Sequence, residues 1–239
     1  ANDAQLMHDS PFRKVKRPRR GSRRRIFTRA ELVRFLRAAP RDLRDYLISL
    51  RESIARPQEA RAWDWKELES CRPELPLEES LVSGYCYLGL SEYKHRHLRR
   101  DPNAIRIIPI TPRLGRLILR LAGGTLPKRG PILLRGDGKR WTKESVRLRV
   151  KRLRKLAGIG ADERGEQIVA YTLRHTAATW AVARGLRDRV LADLMGHASP
   201  RTTERYQHLA TSHLMEAFRR CHAAARPSAR KDGQGSRPE

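Results

Sequence analysis

The chain has 239 residues, 39% apolar and 33% charged, enough for one ordinary domain with a real core plus flanking tails, and not the composition of a wholly disordered protein. Against 26 Asp and Glu stand 52 Lys and Arg, a formal charge of +26 that favours a polyanionic partner. No run approaches the roughly 18 apolar residues a membrane span requires and no signal-peptide pattern opens the chain, so nucleic acid is favoured over an acidic membrane surface.

Residues 1–27 read as a basic linker or arm. The strip from Arg13 to Arg25 is broken by Pro18 and Gly21 and cannot bury itself. Arg13, Lys14, Lys16 and Arg17 are its candidate DNA-backbone contacts, the alternative being a solvated tail. Order begins at Thr28, where Thr28-Arg29-Ala30-Glu31 is a capping box that opens a helix to about residue 38. A second helix should run from Arg41 to about Ile54, with Leu43, Tyr46, Leu47 and Leu50 at helical spacing. Pro57 suits the first position of a short helix carrying Glu59 and Ala62. From Val82 to Ile110 the pattern turns to strands, 82–90 and 105–110, joined by a His- and Arg-rich hairpin tip. Pro112 restarts a helix with Leu114, Leu117, Ile118 and Leu121 on one face, ended by Gly123-Gly124.

A long helix should follow from about Thr142 to Leu156, with Val146, Val150 and Leu153 inward. Arg147, Lys151 and Arg154 on it are candidate DNA contacts, weighed against a merely solvated face. Short helices are expected at about 173–184, 187–195 and 200–207, with Gly185 and Gly196 at C-terminal caps. A last amphipathic helix, about 211–222, precedes a Pro/Ser/Gly/Arg tail expected to be disordered. Trp63, Trp65 and Trp180 read as core. Cys71, Cys86 and Cys221, odd in number and widely spaced, read as free thiols of a reducing compartment. The sum is an α+β fold, mostly helical, with one small antiparallel sheet. Its division is a linker at 1–27, a main domain at 28–210, a C-terminal helix within 211–223 and a tail at 224–239.

The last third carries an ordered set of residues. Tyr171-Thr172-Leu173-Arg174-His175 precedes Gly196-His197, and Tyr206 stands nine residues beyond that histidine. Upstream lie Ala55-Arg56-Pro57-Gln58-Glu59-Ala60, and Lys94 in the hairpin tip before Ile107-Ile108-Pro109-Ile110. These five blocks, in this order and spacing, resemble the tyrosine recombinase family of the phage integrase type over about residues 10–222. The resemblance implies a catalytic domain that cuts and rejoins double-stranded DNA through a 3′-phosphotyrosyl intermediate, with neither metal nor ATP. It further implies a homo-oligomer, a tetramer, assembled on DNA, with no membrane partner and a cytoplasmic, nucleoid-associated location. Leu6-Met7-His8-Asp9-Ser10-Pro11-Phe12 resembles the end of a preceding DNA-binding domain, so the chain is expected to be the C-terminal part of a longer recombinase. The C-terminal helix around Leu214, Met215 and Phe218 is expected to dock on a neighbouring subunit, as such segments do in the family.

Chemistry gives each residue type a reason. Attack on a phosphodiester builds a second negative charge on the non-bridging oxygens, and the forked guanidiniums of Arg56 and Arg174 suit that group. Tyr206 would be the nucleophile, with its phenolate favoured by a cationic site against an ordinary tyrosine pKa of about 10. Carried over from the family, Lys94 would protonate the leaving deoxyribose oxygen and His197 would donate a hydrogen bond to the phosphate. Glu59 matches an acidic family position that orients neighbouring basic groups, and His175 reads as a supporting residue. Arg174 would lie in the first turn of its helix if Thr172 is the N-cap, putting phosphate near the positive end of a dipole. Arg96, in the crowded hairpin tip, is a candidate phosphate contact. His95 and His97 have no Cys or acidic residue at ligand spacing and are not read as a metal site. Tyr171 departs from the His or Lys common at its position and is a poor base at neutral pH. Two alternatives stay open: a type IB topoisomerase-like enzyme with the same chemistry, and a catalytically impaired DNA-binding member of the family.

Overall fold

Thr28 opens the fold as a reciprocal cap: its hydroxyl accepts from the Glu31 amide and the Glu31 carboxylate accepts from the Thr28 amide. The helix it starts, α1, spans Arg29–Ala38, and α2 spans Arg41–Ser53. Pro57 takes the first position of the one-turn helix α3, Pro57–Ala60. The computed structural model describes residues 25–91, 105–184 and 186–196, together with 218, 219 and 222.

A three-stranded antiparallel sheet follows in the order β1 (Leu68–Ser70), β2 (Cys86–Leu90) and β3 (Arg106–Ile110). Leu88 pairs with Leu68 on one side and Ile108 on the other, so alternate side chains reach the core. The strand expected over 82–90 is corrected at its start, because residues Leu77–Ser83 form a helix, α4, and pairing begins only at Cys86. Leu77 and Leu81 sit one turn apart, Glu78 and Glu79 lie in the first turn, and Gly84 ends the helix in the left-handed conformation. Strand β1 was not anticipated either, since three residues are too few to show alternation.

Pro112 starts α5 (Pro112–Ala122), with Thr111 as its cap and Gly123 at its end. Thr142 caps α6 (Lys143–Leu156), and Val146, Val150 and Leu153 turn inward as the periodicity requires. Two further helices are α7 (Ala170–Ala183) and α8 (Asp188–Met195), the latter closed by Gly196. The main core gathers Phe35, Tyr46, Trp63, Leu88, Ile118, Val150 and Leu173 between the helices and the sheet. Trp180 is only half-buried, packed on this core with the Arg51 guanidinium 5.9 Å from its ring centre. A second cluster joins Ile54, Ala178, Ala181, Leu186, Leu194 and Met195, and fastens α8 against α7 and the end of α2. Phe218 is buried in this same cluster, and His222 Nδ1 lies 3.7 Å from Glu52 Oε2. The helix expected at 200–207, the remainder of 211–222 and the tail lie outside the described residues.

Candidate active site

Ile54 is the one described non-glycine residue with positive φ, at φ 54 and ψ 21. For a β-branched residue this conformation is strained by roughly 1–3 kcal/mol. The strain buys a geometry: the Ile54 side chain enters the second cluster while its carbonyl accepts from Arg174 Nη1 at 2.5 Å. Arg174 is fully buried, and its Nη2 donates to the Met195 carbonyl at 2.6 Å. Its Nε is also buried, with no hydrogen-bond partner among the described residues.

Arg56 reaches the same place from the N-cap of α3. Its amide and its Nη1 both donate to the Glu59 carboxylate at 2.7 Å, and its Nη2 donates to the Gly196 carbonyl at 3.0 Å. A third arginine, Arg106 on β3, joins them with Nε 3.1 Å from Glu59 Oε1 and Nη2 donating to the Leu194 carbonyl at 2.8 Å. Arg56 and Arg106 therefore share the Glu59 carboxylate, and Arg174 beside them is held by carbonyls alone, which leaves two positive charges in excess in a buried place. The last carbonyls of α8, at the negative end of its dipole, accept from all three arginines and offset part of this cost. Burial, then Arg106 and Arg56, push the Arg174 guanidinium down to about 10, so it is still charged at neutral pH. An arrangement of this kind favours an anion, and one that gains further negative charge, over any neutral ligand.

Burial raises the Glu59 carboxyl, but the charge of Arg106 and the hydrogen bonds from Arg56 outweigh it and hold the group below its usual range. A carboxyl depressed in the folded state contributes stability that is present above its unfolded value of 4.5 and lost as pH falls through the folded value. The melting temperature should thus fall on acidification below about 4.5, with a shallower slope in Glu59→Gln. Parallel slopes in the two proteins would show that Glu59 carries none of this dependence.

Tyr171 and His175 stand one turn apart on α7, in an edge-to-face contact with centroids 4.7 Å apart. The Arg174 guanidinium carbon lies 5.9 Å from the Tyr171 ring centre. Burial and the neighbouring Arg174 lower the His175 pKa, which keeps the imidazole neutral at pH 7. The start of α7 corrects the expected cap. Ala170 opens the helix, and Thr172 instead sits within its first turn, accepting from the Val169 amide through Oγ1 at 3.1 Å. Arg174 is in the second turn, so its surroundings owe more to the C-terminal end of α8 than to the start of its own helix.

On α6, Arg147 and Lys151 are exposed, Arg147 being ion-paired with Glu144. Arg154 is a correction: it is buried and donates to the Ile168 carbonyl at 3.3 Å, bracing the segment that leads into α7. A DNA backbone could not reach it there. Lys94, Arg96, His197, Tyr206, Arg13, Lys14, Lys16 and Arg17 lie outside the described residues. The residue that sequence reasoning missed is Arg106. Its signal was an arginine in step with Ile108 and Ile110 on the inward face of a strand, where a charge must find a partner.

The model of the phage integrase family matches residues 26–213. Among curated proteins, the tyrosine recombinase XerC of Pseudomonas aeruginosa is 28% identical over 139 residues, which cover 57% of this chain and 44% of that protein. The chain thus matches less than half the length of this relative. Among solved structures, the integrase from mycobacterium phage Brujita superimposes with a TM-score of 0.59 at 19% identity, covering 94% of this chain and 67% of the integrase. The XerH site-specific recombinase bound to difH substrate, in a pre-cleavage complex, gives a TM-score of 0.51 at 18% identity over 80% of this chain and 52% of XerH. At these identities the structures speak for the fold.

Proposed function

Since the chain belongs to the phage integrase family, we propose that it is the strand-cleaving and rejoining domain of a tyrosine-type site-specific DNA recombinase. The observation that carries this reading is the meeting of Arg56 and Arg174 at the C-terminal end of α8, immediately before His197. Each terminal nitrogen that donates to a carbonyl there keeps a second N–H, and Arg174 Nε keeps its only one. Those donors, with His197, hold the scissile phosphate and stabilise the charge it gains in the transition state.

The Tyr206 phenol passes its proton to solvent as its oxygen attacks phosphorus, the bond from phosphorus to the 5′ oxygen breaks, and the DNA 3′ end is held as a phosphotyrosyl ester. Lys94 gives a proton to the departing 5′ oxygen. In rejoining, a 5′ hydroxyl returns that proton to Lys94 and attacks phosphorus, and the Tyr206 phenolate leaves and takes a proton from solvent, so the phosphodiester bond energy is kept throughout. Arg13, Lys14, Lys16 and Arg17 and the exposed Arg147 and Lys151 contact the DNA backbone, and the working form is a homotetramer on double-stranded DNA. The bounds 28 and 210 expected for the domain are too narrow, since Phe27 is buried in the main core and Phe218 in the second cluster of the same chain; the basic residues before it link it to a preceding DNA-binding domain.

The test is to incubate the protein with nicked or half-site DNA in EDTA and look for an SDS-stable adduct, with the attachment mapped by peptide mass. A nucleotide on the Tyr206 peptide is the expected result. Tight, salt-sensitive binding with no covalent species on any such substrate would sink the proposal in favour of a DNA-binding protein without strand chemistry.

A further inference from the structure

Arg106 is 3% exposed on β3, and its guanidinium spans two parts of the site. On one side Nε meets Glu59 Oε1, the same oxygen that accepts from Arg56 Nη1. On the other, Nη2 donates to the Leu194 carbonyl at 2.8 Å, and Nη1 points to the Asp193 carbonyl at 3.4 Å. Its flat face also fixes the identity of a neighbour. A Cβ on Gly196 would lie 2.3 Å from Arg106 Nη1 and 2.8 Å from Cζ. Gly196 is therefore required twice, by its φ of +58 and by the arginine pressed against its Cα. The Gly196 carbonyl in turn receives Arg56 Nη2.

We propose that Arg106 is a positioning residue for the cleavage reaction. It sets Arg56, through their shared Glu59, and the Gly196 turn that leads into His197 at a fixed separation. Its terminal nitrogens donate to carbonyls of α8 and its guanidinium is ion-paired with Glu59, so it acts through these neighbours. This rests on the recombinase reading above, in which Arg56 and His197 engage the scissile phosphate. A misplacement of about 1 Å in such a constellation costs about 10²-fold in rate.

The experiment compares single-turnover adduct formation and DNA affinity for wild type, Arg106→Ala, Arg106→Lys, Gly196→Ala and the Arg106→Ala/Gly196→Ala pair. Arg106→Ala should cleave about 10²-fold more slowly with its DNA affinity unchanged. Arg106→Lys, which keeps a charge beside Glu59 but not the fork, should recover part of the rate and serves as the test variant if the alanine protein does not fold. Gly196→Ala should slow cleavage less in the Arg106→Ala background than in wild type, because the Cβ then meets empty space. Wild-type cleavage by Arg106→Ala, or a rate loss that only follows weakened DNA binding, overturns the inference while leaving the recombinase reading intact. A wild-type protein that forms no Tyr206 adduct overturns that reading first.

Discussion

Tyr206→Phe should abolish the covalent adduct and leave the affinity for DNA intact. The substitution deletes one oxygen, the atom that would attack phosphorus, and keeps the ring. Removal of a covalent nucleophile costs on the order of 10⁴–10⁶-fold in rate, so no adduct should appear over any practical incubation. Affinity depends on phosphate contacts that the phenylalanine does not alter, and gel-shift titrations of the two proteins at several salt concentrations should superimpose. The informative failure is an adduct that survives. Among the described residues Tyr171 is a phenol near the arginines, with its ring 5.9 Å from the Arg174 guanidinium carbon and partly open to solvent. A surviving adduct mapped to Tyr171 would move the nucleophile onto α7. One that Tyr171→Phe also leaves untouched would take the nucleophile away from both tyrosines.

The parts of the fold legible in the sequence were those with local chemical causes. Thr28 and Glu31, Pro57, Thr111 with Pro112, Gly123 and Gly196 all stand at helix ends and act there through their own backbone geometry or a reach of three residues. The errors fall where cause is not local. Leu77–Ser83 has the β-favouring Val82 near its end, yet packing of Leu81 and the Gly84 cap decide for helix. Strand β1 exists because β2 pairs with it, not because of its own three residues.

The site divides in the same way. Arg56 and Glu59 were readable because they are three residues apart and form one cap. Arg174 was readable as an arginine of a known pattern, but its setting was not: carbonyls from 120 residues upstream and 21 residues downstream hold it. Arg106 escaped for lack of any short-range partner, since Glu59 and Leu194 are brought to it only by the packing of β3 against α3 and α8. Arg154 shows the converse error. A helix with many basic residues invites a single electrostatic reading, and the inward turn of one of them is visible only once Ile168 is placed beside it.

Arg174→Lys should be damaging to both stability and cleavage although it conserves the charge. Lysine keeps the positive charge, so a site that needed only charge would tolerate it. Arg174 does more than supply charge: one terminal nitrogen holds the Ile54 carbonyl and the other the Met195 carbonyl, with the plane between them set by both. A single ammonium cannot span the two and still face a phosphate. The carbonyl left without its donor costs about 1–3 kcal/mol of stability, and Ile54 at φ 54 loses the contact that its strained backbone serves. Loss of the preorganised fork should lower the single-turnover cleavage rate by about 10²–10³-fold, or about 2.7–4 kcal/mol in the barrier. Rate at saturating DNA and the urea midpoint, measured together, separate the two effects. A lysine variant that is destabilised but cleaves at the wild-type rate would confine Arg174 to holding α8 against α2. A variant that is as stable as wild type but inert would instead mean that the carbonyl contacts are incidental and that the fork serves the phosphate alone.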